Sequence, residues 1–439
     1  DLTSLGGNYN NANPNEDIFV LKDDSVWIEI IYREGKYASL YSLLTSPPFN
    51  LTEFVDNGVG NRIITTLIRV SELDELNNLN ITANDSLINF VRPLYRPIVS
   101  VGIANTAGDI AQRSNLSRGG FNVNGEGIKI GVLSNSYNTQ PGNQALIDVN
   151  NGDLPGIGNP NGNLLPVQVQ DYTKGVQSDE GRAMLQIIHD IAPKAELAFR
   201  TGFISAGNMA AAIKQLQQDG CHIEVDDITY LTEPYFHDGM IAKAVNEVKD
   251  LGVAYFTAAG NFGDRSYEGI FNPTATPGSL TGSAHNFGGG DRFQSISLTP
   301  GSYLVALQWE DGFYSIDQNQ TGTQNDLDIY LTTNNGNTLF GFNRNNIGGD
   351  PIEILPFTVT ANTTTNILIT RASGSSSNVH FKYIFFKGAP TINEFNIGTS
   401  TIVGQANALG AITTGAVSYT NTPVYGVPSP TKASFSSTG

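Results

Sequence analysis

The stretch "SDEGRAMLQIIHDIAPKAELAFR", residues 178–200, sets one structural period directly against another. Ala183, Met184, Ile187, Ile188 and Ile191 recur at helical spacing, and "AELAFR" (195–200) after Pro193 reads as a short apolar strand. Ser178 is the expected N-cap, and Pro193 follows the last turn. Asp179 and Glu180 open the helix, where the macrodipole favours acids in any protein. A helix that runs straight into a strand is half of a βα repeat, and the sequence on both sides continues it.

Upstream, the strand "IKIGVL" (128–133) leads into a glycine-rich loop region at 135–175. Downstream come a helix over 205–218, the strand "HIEVDDI" (222–228), a helix over 239–250 and the strand "VAYFTAA" (253–259). Apolar strands separated by amphipathic helices predict a parallel sheet covered on both faces. In such sheets ligands bind beyond the carboxyl ends of the strands. Three strand ends therefore matter: "SNSYN" (134–138), "DDITY" (226–230) and "AAGNFG" (258–263).

Outside this repeat the rhythm changes. After 263 the period is two, with strands expected at 293–298, 303–309, 327–332, 352–359, 365–371 and 379–386, the pattern of a β-sandwich. It reads as an insertion, because "ALGAITTGAVSY" (408–419) resumes a buried, small-residue strand pattern. Before the repeat, "VWIEIIYR" (26–33), "YASLYSLLT" (37–45), "RIITTLIRV" (62–70), a helix over 71–79 capped by Ser71, and "LINFVRPLYRP" (87–97) describe a small α+β domain. The expected plan is a lead-in at 1–16, the α+β domain at 17–100, an α/β core at 101–270, the sandwich at 271–390 and the rest of the core at 391–439.

At 439 residues there is room for two or three domains. A net charge of −17, from 41 acids against 24 Lys and Arg, speaks against nucleic acid as the main partner, since phosphate binding needs concentrated basic surface. Cys221 is the only cysteine, so no intrachain disulfide forms, and its position suits a small buried side chain. No apolar run approaches the length of a membrane helix. The chain begins at Asp1 without a signal peptide, as a mature chain does, and abundant Gly, Asn, Ser and Thr with sparse Lys suit a secreted bacterial protein.

In their order, the strand ends resemble the subtilisin-like serine peptidases. "GIKIGVLSNSYN" is similar to the family's Asp-bearing strand, and "DEGRAMLQIIHDIAPKAEL" to its His-bearing helix. "HIEVDDITYL" stands where the substrate strand belongs, and "GVAYFTAAGNFG" resembles the oxyanion turn. "ALGAITTGAVSY" and "ASFSSTG" resemble the segments that precede the serine. The resemblance covers about 127–263 and 400–439, an ordered series more specific than any single motif. It implies that residues 17–97 are a propeptide, a folding aid and inhibitor whose final strand shields the cleft.

The departures carry chemistry. Asn135 holds the Asp place and Glu180 the His place. A hydroxyl nucleophile needs a base and a group that orients the base, and a carboxylate base works best below neutral pH. The sedolisins, an acid-acting branch of the fold, have Glu at this helix position with an Asp one turn later, where this chain has Met184. That branch also has Asp for the oxyanion Asn, which is retained here as Asn261. A substitute acid is expected in "VDDI", where alternation sends Asp226 and Asp227 to opposite faces of the sheet. Asp227 is the expected partner, sharing a proton with Glu180 as base.

The implied activity is endopeptidase action on protein or peptide, by serine acylation and without a cofactor. Glu180 is the base, Asp227 its partner, Asn261 the oxyanion donor and Asn135 a relic or hydrogen-bonding orienter. Asp226, Thr229, Tyr230 and Gly260 fall along the substrate. The family's Gly-Thr-Ser serine lies downstream of "FSSTG", and Ser436 and Ser437 belong to the upstream packing element. A companion C-terminal piece carrying the serine is one expectation. A catalytically inactive relative kept as a surface binding or assembly scaffold is the alternative. His189 and His222 read as buried structural histidines, His237 as a loop residue near the cleft, and "NDLDIYLTTNNG" (325–336) as a polar strand entry with no full calcium-loop pattern.

Overall fold

The computed structural model describes residues 19–57, 61–79, 86–95, 107–278, 280–316, 321–374, 378–398 and 400–439. The lead-in at 1–16 and the domain junction at 100 lie outside them. The chain divides into two compact units. One holds Asp1–Arg96, Pro234–His237 and Asp264–Ser400; the other holds Pro97–Glu233, Asp238–Gly263 and Thr401–Gly439. The N-terminal segment, read above as a domain of its own, thus shares a unit with the strands that follow residue 263.

In the first unit, β-branched residues build an antiparallel sheet in which Ser25–Tyr32 pairs with Ile63–Arg69 on one side and Ile88–Pro93 on the other. Helix Tyr37–Leu44 buries Leu40 and Leu44 in the cluster that holds Ile28, Ile30 and Ile64. The helix at Leu73–Asn78 has no side-chain cap; Ser71 lies inside a preceding 3-10 turn, Val70–Glu72, and so is not in N-cap geometry.

The remaining strands of this unit form two further antiparallel sheets. One runs Ser266–Ile270, His380–Lys387, Gly301–Trp309, Ile352–Val359, and the other is centred on Thr363–Ser373. Trp309, Tyr303, Leu327, Ile369 and Phe381 belong to one buried apolar cluster drawn from both sheets. Strand Asp326–Thr332 is buried along its whole length, so Asp326 and Asp328 are interior groups and not a polar strand entry.

The second unit is an α/β core around a six-stranded sheet. After two short helices, Ala107–Ala111 and Ser114–Phe121, its strands and α-helices in chain order are β1 (Lys129–Ser134), α1 (Gln144–Asn151), β2 (Gln168–Gln170), α2 (Glu180–Ile191), β3 (Glu196–Thr201), α3 (Ala206–Gln218), β4 (Ile223–Asp226), α4 (Met240–Asp250), β5 (Ala254–Ala258) and β6 (Ala411–Thr414). The strand order is β6-β5-β4-β1-β3-β2, and every pairing is parallel. Helices α3 and α4 pack on one face with Leu133, Ala198 and Tyr255, while α2 packs on the other with Val132, Leu197 and Phe199. Strand β6 is an edge strand with half-buried and exposed positions alternating, where a buried one was expected. Its small residues suit an edge whose only strand partner among the described residues is β5.

Candidate active site at the carboxyl edge of the parallel sheet

The register between β1 and β4 aligns Leu133 with Asp226, so Ser134 and Asp227 follow side by side where the strands end. Asn135 comes next on the β1 side and ties that strand to the start of α2. Its Oδ1 accepts from the Glu180 backbone N–H at 3.2 Å, and its Nδ2 donates to Ser178 Oγ at 2.5 Å. Ser178 is therefore not the N-cap. That position belongs to Asp179, whose φ of +56° is left-handed, a conformation that Asp tolerates better than most residues.

Asp179 is spent on structure. Its carboxylate accepts from Thr139 N at 2.7 Å, Thr139 Oγ1 at 2.6 Å and Gln140 N at 3.0 Å, with Ser136 Oγ 2.9 Å away. Burial alone would raise its pKa, yet these donors hold it below the ordinary aspartate range. The next residue but one, Gly181, explains how the helix start comes so close to the sheet. A Cβ there would meet the Phe199 ring at 2.2 Å and Ser136 O at 2.9 Å.

Glu180 has a different fate. Its side chain is 9% exposed and Oε2 is buried without a hydrogen-bond partner. It lies within hydrogen-bonding reach of Asp227, whose Oδ1 is also buried and otherwise unpartnered. Burial raises the pKa of Glu180, while the bond from Asp227 lowers it. Burial raises Asp227 well above the ordinary range, and the charges of Glu180 and Asp226 raise it further. Ser134 sits close enough to ease the Asp227 anion, though outside strict hydrogen-bond geometry. Two facing carboxyls in such surroundings ionise one at a time, and the pair as a whole holds one proton after the first has left.

Asp226 faces the other side of the sheet, as alternation requires. Its Oδ1 accepts from Ile228 N at 3.0 Å, Thr257 Oγ1 at 3.1 Å and Gln405 Nε2 at 3.1 Å, and at 2% exposure it does not line a surface. Burial lifts its pKa to about 6. Tyr230 also turns inward, its hydroxyl donating to Gly202 O at 2.7 Å, and Thr229 is buried. The side chains of Asp226 and Tyr230, expected along the substrate, are thus turned into the protein.

Asn261 is half-buried at the turn after β5, on the same carboxyl edge as the carboxyl pair. Gly260 before it has a φ of +93°, open to glycine at little cost, and its carbonyl accepts from Ser437 N at 2.9 Å. Ser437 Oγ accepts from Phe262 N at 3.1 Å and so packs on this turn, while Ser436 Oγ accepts from Ala416 N at 3.1 Å, just past β6.

Sequence reasoning passed over Glu224, two residues before Asp226 and on the same strand face. It is fully buried with both carboxyl oxygens unpartnered, and burial pushes its pKa to about 9. The signal was present in "EVD", two acids with period two inside an apolar strand. His189 is buried as expected, but His222 is exposed and accepts from Lys129 N through Nδ1. His237 is exposed, with Phe313 edge-on at 5.2 Å. Among the described residues, no group of three or more His, Cys, Asp and Glu is placed to hold a metal ion.

Fold and site together define an α/β protein with an ionisable carboxyl pair at the carboxyl edge of its parallel sheet. No family profile and no curated protein matches the sequence significantly. Among solved structures, the chain is similar to the CspB protease of Clostridium perfringens, with 12% identity, a TM-score of 0.40 and 76% of each chain covered. It is similar to the epidermin leader peptide processing serine protease of Staphylococcus aureus at 14% identity and a TM-score of 0.30, covering 54% of this chain and 60% of that one. The prenylagaramide maturation protease PagA follows at 15% identity and a TM-score of 0.20, covering 34% and 51%. At this distance no residue role passes from them to this chain.

Proposed function

We propose that the protein is a secreted, subtilisin-like peptidase whose general base is Glu180. The observation that carries the reading is the approach of Glu180 and Asp227, two buried carboxyls with otherwise unpartnered oxygens, from different elements at one strand edge. In this scheme Asp227 retains its proton and holds the Glu180 carboxylate in place. Glu180 takes the proton of a serine hydroxyl as that oxygen attacks the peptide carbonyl, and returns it to the leaving amine. The Asn261 amide donates to the oxyanion, a role worth about 2.7–4 kcal/mol where it has been measured in another peptidase. Asn135, fixed between Ser178 and the Glu180 N–H, orients the helix start and with it the base.

The nucleophile in this scheme belongs to a companion segment and not to Ser436 or Ser437, whose hydroxyls accept from the backbone N–H groups of Ala416 and Phe262. The segment before Arg96 is the propeptide in this scheme, and the substrate is a protein or peptide. The test uses protein expressed from its whole gene, treated with a fluorophosphonate at pH 4 and pH 7 and read by intact mass. A serine adduct that disappears in Glu180→Gln is the expected result. An adduct that survives that change removes Glu180 as base, and no adduct at either pH leaves the inactive-scaffold reading in its place.

A further inference from the structure

Strand β3 carries a buried cation one residue before its end. Arg200 pairs in register with Leu133 of β1 on one side and Gln170 of β2 on the other. It shares the strand face of Ala198, which packs with α3 and α4. Arg200 is 8% exposed and turns to the strand end, where Nη1 donates to the Thr201 carbonyl at 2.9 Å. The Tyr172 ring covers the guanidinium, its centre 4.2 Å from Cζ. Nε is buried and has no acceptor.

A buried guanidinium is normally matched by a carboxylate, because taking the charge out of water without a partner is costly. Arg200 lacks one: among the described residues no carboxylate reaches it, and Tyr172 is the one titratable side chain that does. The two acids beside its strand partner Gln170 are engaged elsewhere. Asp171 accepts from Tyr137 N, Thr173 N and Thr201 Oγ1, each at 2.9 Å. Asp219 accepts from Gln170 Nε2 at 2.7 Å, Gln215 Nε2 at 3.0 Å and Gln168 Nε2 at 3.1 Å. Burial lowers the Arg200 pKa below the ordinary arginine value, as expected of a charge without compensation.

The guanidinium is held in one orientation. Tyr172 N donates to Thr201 Oγ1 at 2.9 Å and Thr173 Oγ1 to the Asn135 carbonyl at 2.5 Å, so the chain that carries the aromatic ring is tied to the ends of β3 and β1. With one face stacked and Nη1 committed, the Nε–Nη2 edge remains. That edge presents two parallel N–H donors at the spacing of the two oxygens of a carboxylate. Tyr172 is 56% exposed, so its ring is the wall of the site that meets solvent. Ligands of open α/β sheets bind at this carboxyl edge.

We propose that Arg200 and Tyr172 form a carboxylate-binding site at the end of β3, in which the two oxygens of the ligand accept from Nε and Nη2. The site is separate from the Glu180–Asp227 pair, whose Asp227 follows β4, two strands away. The inference does not depend on the activity proposed above.

The full chain, labelled with nitrogen-15 arginine, is titrated near neutral pH and at constant chloride with glutarate and with two blocked peptides, acetyl-Ala-Glu-Ala-amide and acetyl-Ala-Gln-Ala-amide. The Arg200 Nε–Hε NMR signal, identified as the one missing from Arg200→Lys, is expected to move and saturate with glutarate and with the Glu peptide. The Gln peptide is expected to leave it in place. Tighter binding of the Glu peptide marks a peptide side chain as the ligand, and equal or weaker binding marks a free carboxylate. Arg200→Lys retains the charge but loses the fork, and is expected to weaken glutarate binding at least about tenfold in calorimetry. Tyr172→Leu removes the stacked ring and is expected to weaken it about threefold. Circular dichroism checks that both variants are folded. If Arg200→Lys is not, Tyr172→Leu, which shifts the same signal by removing the ring, assigns it and decides. A signal that stays in place at tens of millimolar glutarate overturns the proposal. So does one that moves equally with the Gln peptide, and so does glutarate binding that ignores every folded variant.

Discussion

Gly181 stands where a methyl group has no room. Its virtual Cβ lies 2.2 Å from the Phe199 ring, far inside contact distance, although its own backbone is ordinary helix. Alanine normally helps a helix by about 1 kcal/mol over glycine, but overpacking a core costs about 1–3 kcal/mol. Gly181→Ala is expected to lower stability by about 1–2 kcal/mol, read as a fall in the denaturation midpoint. It also pushes α2 from β3 and so carries Glu180 away from Asp227. A midpoint equal to that of the parent would show that the helix start has slack. Asp227→Asn tests the pair itself. The parent is expected to titrate in two coupled steps, both above the ordinary range, because burial raises Glu180 and burial with the Glu180 charge raises Asp227. The variant retains a donor but no second proton, so the upper step is expected to vanish in a carbon-13 NMR titration of the carboxyls. If the variant retained both steps, the coupled partner would be another group.

At the scale of the element, β4 carries acids on both of its faces. Glu224 and Asp226 point to the α3–α4 side, and Asp227 to the side of α2. Burial holds Glu224 at about 9, above the roughly 4.3 of an unfolded glutamate, so the folded state binds the extra proton between those values. The stability that this proton brings is complete below the unfolded pKa and is lost as pH rises through the folded one. While one group alone is in this window, the slope is about 1.4 kcal/mol per pH unit. Glu224→Gln removes that loss, so denaturant unfolding of the variant is expected to show a shallower decline between pH 5 and pH 9. An unchanged slope would mean that Glu224 is ionised or relaxed toward water.

The same strand shows what was legible in the sequence. Period two placed Asp226 and Asp227 on opposite faces, and the apolar β strands with amphipathic helices disclosed the parallel sheet. Helix capping was less legible: Ser178 and Asp179 are equally suited to the N-cap, and Asp179 takes the position, where Ser136, Thr139 and Gln140 from the preceding loop all donate to it. That arrangement links residues some forty positions apart and leaves no local pattern. The same holds for Arg92 and Asp350, whose meeting joins the N-terminal segment to strands more than two hundred residues later. Edge strand β6 misled for a different reason, since small residues suit a crowded interior and a short edge equally well.

Across the described residues, more carboxyls are raised by burial than are held low by their partners. Burial raises Glu224 to about 9, Asp328 to about 7 and Asp226 to about 6, and it also raises Glu353, Asp227 and Glu180. Each of these stabilises the fold in its protonated form, and that contribution disappears as pH climbs through its folded pKa. The opposing group is smaller: Asp179, Asp109 and Glu268 are held low, the first by backbone and hydroxyl donors, the others chiefly by Arg118 and by Ser400 with Lys382. Their contribution is present above the unfolded pKa and is lost only as pH falls below the ordinary carboxylate range. The two sets meet near pH 5, above the titration of the paired acids and below that of most buried ones. The thermal midpoint is therefore expected to rise as pH drops from 8 to about 5 and to fall again below about 4, in contrast to proteins whose carboxylates are mostly paired. A midpoint that rises steadily from pH 5 to pH 8 would mean that the interior acids are ionised and compensated. A net charge of −17 works in the same direction, because acidification also relieves the self-repulsion of the folded chain. The two sources separate in salt: screening weakens the surface repulsion, but the dependence that comes from Glu224, Asp226 and Asp328 is expected to persist at high ionic strength.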